Sequence, residues 1–410
     1  MRRPGTYAVY LILTTAAAFF FSTAFAASGL YRFQMAGLGP LQLVLVGTAL
    51  ELSAFLFEIP TGIVADLYSR RLSVIVGYAI IGMGFILEGA FTWFATIVLA
   101  QVIWGLGYTF TSGALDAWLA DELGEDRLAA TYLRGTQLAQ IAGLLGLLSG
   151  ALLAGIRLNI PFLVGGAGMV ALAVYLVTAM EEHNFTPTPR GERTTWQSMG
   201  HTFQQGFGFI RRSPLLLTIL ALALISGLSS EGLDRLWEAH LLTNFTLPGP
   251  PSITVVYWFV GIKGVVTVLT IALTEVMRRR AEQFNHRQAV WLLLVLTGIL
   301  AGGLLLFGLA NRVTVAIAAY IVLSVARSTS GPIFSAWINR GIEPRVRATV
   351  LSTIGQMDAI GQVVGGPPVG AIGVRYGLRA AMVAIGLLLT PALALYGRAL
   401  GQEPQLLKQD

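Results

Sequence analysis

Cysteine is absent from the 410 residues, so neither disulfides nor thiolate chemistry can operate here. Charge is scarce too. Asp, Glu, Lys and Arg make up 12% of the chain, and there are 4 histidines. That is too little polarity to coat a soluble fold of this length. A glycine-rich nucleotide loop, a diagnostic metal-ligand spacing and a nucleophile–base arrangement are all missing from the sequence, which argues against an enzyme, a metal site or a bound cofactor. Nor does any stretch alternate as the strands of a lipid-embedded barrel must. Any work the chain does has to draw on a gradient, its own or its substrate's.

The chain is instead rich in long apolar runs. It is 55% hydrophobic with a mean hydropathy of +0.71. A spanning helix needs about 20 apolar residues, and polar breaks divide this chain into twelve such runs, at roughly 7–33, 38–66, 72–91, 94–121, 127–155, 159–180, 212–240, 252–277, 287–310, 313–339, 344–373 and 376–398. The expected fold class is an all-α polytopic membrane protein with twelve transmembrane helices. Arg2-Arg3 ahead of an apolar run ending at Ala24-Phe25-Ala26 has the outline of a signal peptide. The run is too long for that, and an uncleaved first helix is expected.

Net charge is +6, which in a soluble protein would suggest nucleic acid. Placement argues otherwise. With the N-terminus inside, eighteen of the 27 Lys and Arg fall in cytoplasmic segments and five outside. The other four, Arg134, Arg235, Lys263 and Arg327, fall within or near spans. This bias places both termini in the cytoplasm of a multi-pass protein of the cell membrane, with no nucleic-acid partner.

The longest polar stretch, residues 181–211, reads as a cytoplasmic linker, with Trp196–Phe209 able to form a short amphipathic helix. It separates residues 1–180 from residues 212–410, six spans each. The halves echo one another. At an offset of 218 residues Thr111-Ser112-Gly113 matches Thr329-Ser330-Gly331, and Glu125, Arg127, Ala130, Thr131, Leu133 and Gly143 match Glu343, Arg345, Ala348, Thr349, Leu351 and Gly361. Such a frame over two helices points to two parallel six-helix repeats.

The stretch Glu51–Ser73 joins an apolar helix bearing Glu51 and Glu58 to the turn Gly62-x-x-x-Asp66-x-x-Ser69-Arg70-Arg71. This turn resembles the loop between the second and third helices of the major facilitator superfamily, Gly-x-x-x-Asp-x-x-Gly-Arg-Arg/Lys, with Ser69 at the second glycine. With twelve spans, the resemblance covers the whole chain. It implies two pseudo-symmetric six-helix bundles, a site between them and alternating access. EIPTGIVAD before SRR, and Gly105-x-Gly107…Ser112-Gly113-Ala114, are most similar to bacterial multidrug, macrolide and tetracycline exporters. The chain departs from these at Gln101, where they often carry arginine, and in helix five, where the Gly-Pro motif lacks its proline. A similar pattern stands in helix eleven, Gly361 to Gly370 with Pro367-Pro368. The resemblance implies proton-coupled export of amphipathic drugs by a monomer bathed in membrane lipids, without a cofactor. An organic-anion transporter, drawn by Lys263, Arg327 and Arg134, and a lipid or lysolipid flippase are the alternatives.

Charges inside spans are expensive and mark candidate functional groups. At about 1.5 Å per residue, Arg327 and Asp358 lie ~20 Å from their cytoplasmic ends on consecutive helices, and Asp116 and Arg134 lie ~8 and ~10 Å deep. Two ion pairs are expected, Arg327–Asp358 and Asp116–Arg134, either bracing the bundle or serving transport. Lys263 sits at the depth of Glu51 in the other half. Glu51 and Glu58 have no obvious partner in their own half. Because burial disfavours an ionised carboxyl group, they are candidates for proton coupling or substrate binding. In the resembled family, the loop aspartate faces the start of helix eleven and the arginines face an acid ending helix four. A cytoplasmic latch of Gly62, Asp66, Arg70, Arg71, Asp121 and Arg345 is therefore implied. The cluster Glu231, Asp234, Arg235, Glu238 and His240 ends helix seven, where an outer gate is expected. Phe25, Trp104, Tyr108, Tyr257 and Trp258 are candidate cavity aromatics, since amphipathic ligands suit apolar pockets with few polar anchors.

Overall fold

The computed structural model describes residues 5–187, 213–249, 254–281, 285–341 and 344–401. Twelve helices follow in order: α1 (Thr6–Met35), α2 (Pro40–Leu67), α3 (Arg70–Ala90), α4 (Phe94–Leu123), α5 (Glu125–Ile156), α6 (Ile160–Ala179), α7 (Pro214–Asn244), α8 (Thr254–Ala281), α9 (His286–Leu309), α10 (Val313–Gly341), α11 (Pro344–Tyr376) and α12 (Leu378–Ala399). Eleven of them, all but α11, are long and apolar enough to cross a membrane. Helices suit such a chain because hydrocarbon offers the backbone no partners, so every N–H and C=O must be satisfied within the segment. The expected amphipathic helix at Trp196–Phe209 lies outside the described residues.

Local chemistry sets the helix ends. Ser69 accepts the Leu72 amide at 2.9 Å and caps α3, and Ser213 with Pro214 opens α7. Asn285 and Gln288 form a reciprocal capping box at the start of α9. Left-handed glycines make tight turns at Gly124 (φ 74) between α4 and α5 and at Gly377 (φ 86) between α11 and α12. Within α4, Gly113 (φ 70) breaks the helix into Phe94–Thr111 and Ala114–Leu123.

The chain divides into two compact units. The first comprises Met1–Leu38, Ala49–Ser198 and Gly249–Val260; the second comprises Gly39–Thr48, Met199–Pro248 and Gly261–Asp410. In the first unit α1 packs on α5 and α6, and α3 packs on α4 and α6. In the second, α7 packs on α11 and α12, and α9 packs on α10 and α12. Adding six to each helix number converts one scheme into the other, so the two sets of six are pseudo-symmetric.

Apolar burial drives helices together weakly in lipid, so close packing at small residues takes its place. A Cβ on Gly82 would lie 2.7 Å from the Gly166 carbonyl, and one on Gly166 would lie 2.7 Å from the Gly82 carbonyl, so α3 and α6 touch backbone to backbone. In the second unit the helix-eleven glycines do the same against α7: a Cβ on Gly361 would lie 2.5 Å from the Leu224 carbonyl.

Candidate functional site

In α7, Glu231, Asp234, Arg235 and Glu238 recur at three- and four-residue spacing, which puts them on one face. Each acid on that face is held by a cation. Arg327 of α10 grips Asp234 through both carboxylate oxygens, at 2.5 and 2.8 Å. Lys263 of α8 meets Glu238 at 2.7 Å and lies 5.6 Å over the Trp237 ring. Arg235 closes on Glu231 at 2.7 Å. Tyr320 stacks on Trp237 with centroids 4.1 Å apart. This face holds together groups that the sequence reading assigned separately to a gate and to an anion site.

The expected Arg327–Asp358 pair does not form. Depth along a helix carries no information about azimuth: Asp358 sits where α11 presses on α7, at Gly227, and accepts from Gln362 at 2.8 Å. Arg327 reaches α7 instead. Asp116 and Arg134 are not paired either. The break at Gly113 redirects the end of α4, setting Asp116 beside Tyr10 and Tyr132, whose rings meet edge to face at 5.9 Å. Arg134 bonds Gln137 at 3.3 Å.

In the first unit an ionic network lies wholly inside the protein. Arg32 Nε donates to Glu88 Oε1 at 2.7 Å, and Gln101 Nε2 donates to Glu88 Oε2 at 2.6 Å. The Tyr31 hydroxyl donates to the Glu88 carbonyl, and the Arg32 guanidinium lies 5.9 Å from both Phe25 and Phe162. Glu88 escaped sequence reasoning, although the rule that flagged Glu58, an acid inside an apolar run, applies to it equally. Gln101, noted only as a departure, supplies the second oxygen's partner.

Glu58 is exposed, with the Ser112 hydroxyl at 3.5 Å. Tyr108, also exposed, lies within electrostatic reach of Glu58 and of the half-buried Glu51. Phe25 and Trp104 pack 4.9 Å apart in a cluster with Phe21, Phe85 and Phe162, as core between α1, α3, α4 and α6. Tyr257 is exposed and Trp258 half-buried on α8.

At the α2–α3 turn, Arg70 pairs with Asp121 and also donates to the Ala117 carbonyl at 3.2 Å. Arg71 takes a different route, donating to the carbonyls of Met180 and Val177 at 2.6 Å each. Glu182, which the sequence did not single out, bridges the turn, accepting from the Ser69 hydroxyl at 2.6 Å and the Arg71 amide at 3.0 Å. Ser69 is extended (φ −178), a conformation open to any residue, so glycine is not required there. A Cβ on Gly62 would meet nothing, Asp66 is half-buried, and the Arg345 side chain lies outside the described residues.

With this geometry in hand, similarity to known proteins gains a structural context. The model of the Major Facilitator Superfamily matches residues 8–366. The uncharacterized MFS-type transporter YxaM of Bacillus subtilis (strain 168) is 23% identical over 362 residues, 87% of this chain and 86% of that protein. The solved nucleoside transporter NupG is similar at a TM-score of 0.77 and 14% identity, over 98% of this chain and 100% of that one. A bacterial homolog of the human lysosomal transporter Spinster is similar at 0.74 and 16%, over 98% of each. A POT family transporter is similar at 0.71 and 12%, over 98% and 96%. At these identities the solved structures speak for the fold alone.

Proposed function

The chain belongs to the Major Facilitator Superfamily, and from that premise we propose that this membrane transporter exports amphipathic compounds by alternating access, driven by proton entry. One observation carries the reading. More than a turn from the helix ends, each described cation of the second unit is neutralised: Arg327 by Asp234, Lys263 by Glu238 and Arg235 by Glu231. Arg32 is neutralised by Glu88 in the first. Among the described residues more than a turn from a helix end, Glu58, Asp116 and Asp358 have no ion pair, against Arg134 as the one such cation. The uncompensated charge is acidic. Such carboxyl groups are suited to take up protons or cationic ligands.

The same balance weighs against an organic-anion transporter, which needs Lys263 and Arg327 free to meet substrate. Arg70 and Asp121 belong, in this reading, to a cytoplasmic latch, and Glu182 extends it. The protein acts as a monomer in the cell membrane with both termini in the cytoplasm.

Drug susceptibility on overexpression, followed by transport in proteoliposomes with and without an imposed pH gradient, tests the proposal. Resistance that a protonophore removes, and accumulation that follows the gradient, are expected. Anion exchange that ignores the gradient would favour the rival, and lipid scrambling with neither would favour a flippase.

A further inference from the structure

The second unit holds a cavity of about 470 Å³ well away from the α7 charge face in sequence, between the end of α8 and the start of α9. Val276 and Met277 line it from the end of α8, and Asn285, Arg287, Trp291 and Leu292 from the start of α9. The volume suits a small polar ligand. Its chemistry is mixed. Arg287 is exposed and has no ionic partner among the described residues, while Val276 and Trp291, 56% and 57% exposed, turn apolar surface outward.

Two features bias this cavity toward a negatively charged ligand. In sequence, α8 closes on the basic run Arg278-Arg279-Arg280, and Arg287 lines the cavity. The 24-residue helix α9 starts here, and its N-terminal dipole favours an anion. The wall is also braced. Trp337 Nε1 donates to His286 Nδ1 at 3.0 Å, which leaves His286 Nε2 to donate to the Ala399 carbonyl at 3.1 Å, tying α9 to α10 and α12.

Tryptophan beside arginine at the end of a span marks the membrane–water interface, and arginine clusters there attract anionic lipid. We propose that the cavity binds the headgroup of an anionic phospholipid, with the acyl chains lying along the exposed apolar residues of α8, among them Val265, Val268 and Val276. A cavity this size accepts a headgroup and glycerol but not a whole lipid, so the chains stay in the bilayer. Arg287 meets the phosphate, and Trp291 packs against the glycerol.

Native mass spectrometry of the purified full chain, given equal amounts of phosphatidylglycerol and phosphatidylcholine, tests this. Preferential retention of phosphatidylglycerol is expected, weakened about five-fold in Arg287→Gln, the effect of one near-surface arginine. Arg375→Gln, at the far end of α11, should leave it unchanged. Equal retention of the two lipids, wild-type retention by Arg287→Gln, or full displacement by inorganic phosphate would overturn the proposal. Should Arg287→Gln fail to fold, brominated phosphatidylglycerol gives an independent reading. It should quench wild-type fluorescence more than that of Trp291→Phe, and equal quenching refutes the site.

Discussion

The Arg32–Glu88 pair offers a direct test of the packing reasoning, because both side chains are almost completely enclosed, at 3% and 1% exposure. Glu88→Gln keeps the shape and removes the charge. The new amide nitrogen must then face either the Arg32 guanidinium or the Gln101 amide, donor against donor, and the guanidinium loses its counter-charge between Phe25 and Phe162. Removing one partner of a buried pair destabilises by about 3–5 kcal/mol. At about 2–4 °C per kcal/mol for units of this size, the melting temperature should fall by roughly 6–20 °C. Arg32→Met/Glu88→Leu removes both charges at once and should melt nearer the wild type than Glu88→Gln does. Melting of the purified chain, followed by tryptophan fluorescence, reads the result, since Trp104 lies in the adjoining aromatic cluster. A Glu88→Gln melt within 2 °C of wild type (about 1 kcal/mol or less), or a double variant that loses the sum of the single losses, would refute the reasoning.

Three further outcomes are expected. Glu58→Gln should abolish gradient-driven transport in proteoliposomes while leaving substrate exchange intact; wild-type gradient dependence would remove Glu58 from coupling. Arg327→Gln, which gives up two charge-assisted bonds worth about 1.5–3 kcal/mol each, should lower transport at least ~10-fold. The exchange Arg327→Asp with Asp234→Arg should recover part of it, and no recovery would mean that the pair does more than neutralise. Ser69→Ala loses the α3 cap and a bond to Glu182 and should lower the melting temperature by roughly 2–4 °C, for about 1 kcal/mol. An unchanged melt would show the cap to be redundant.

Fold class was legible because its signal is one-dimensional: spans are long apolar runs, and the breaks between them are polar. Arg70 and Asp121 were named together because the loop motif carries their geometry with it. The side-chain partners inside the spans were not legible. Matching Arg327 to Asp358 by depth used the coordinate that sequence gives, rise along a helix. It had no access to the one that decided the pairing, rotation about it. Asp116 fails for a related reason: a straight-helix count runs through Gly113, where the helix breaks. Glu182 gains meaning only from a residue 113 positions away, Ser69, whereas Glu88 stands in plain view inside an apolar run and only its partner, Arg32 at 56 positions, was hidden.

What separates bracing charges from working ones is whether their bonds are already complete. A carboxylate gripped on both oxygens, as Asp234 is by Arg327, already has its bonding complete. Glu88, held by arginine and amide and cut off from the surface, is satisfied in the same way. Glu58 is the opposite: exposed, beside one hydroxyl at the limit of bonding distance, and near a tyrosine. A proton gives up little there. On this argument the acids most conspicuous for their partners brace the helices they join, and Glu58, with one weak contact, is suited to change state in the proposed transport cycle.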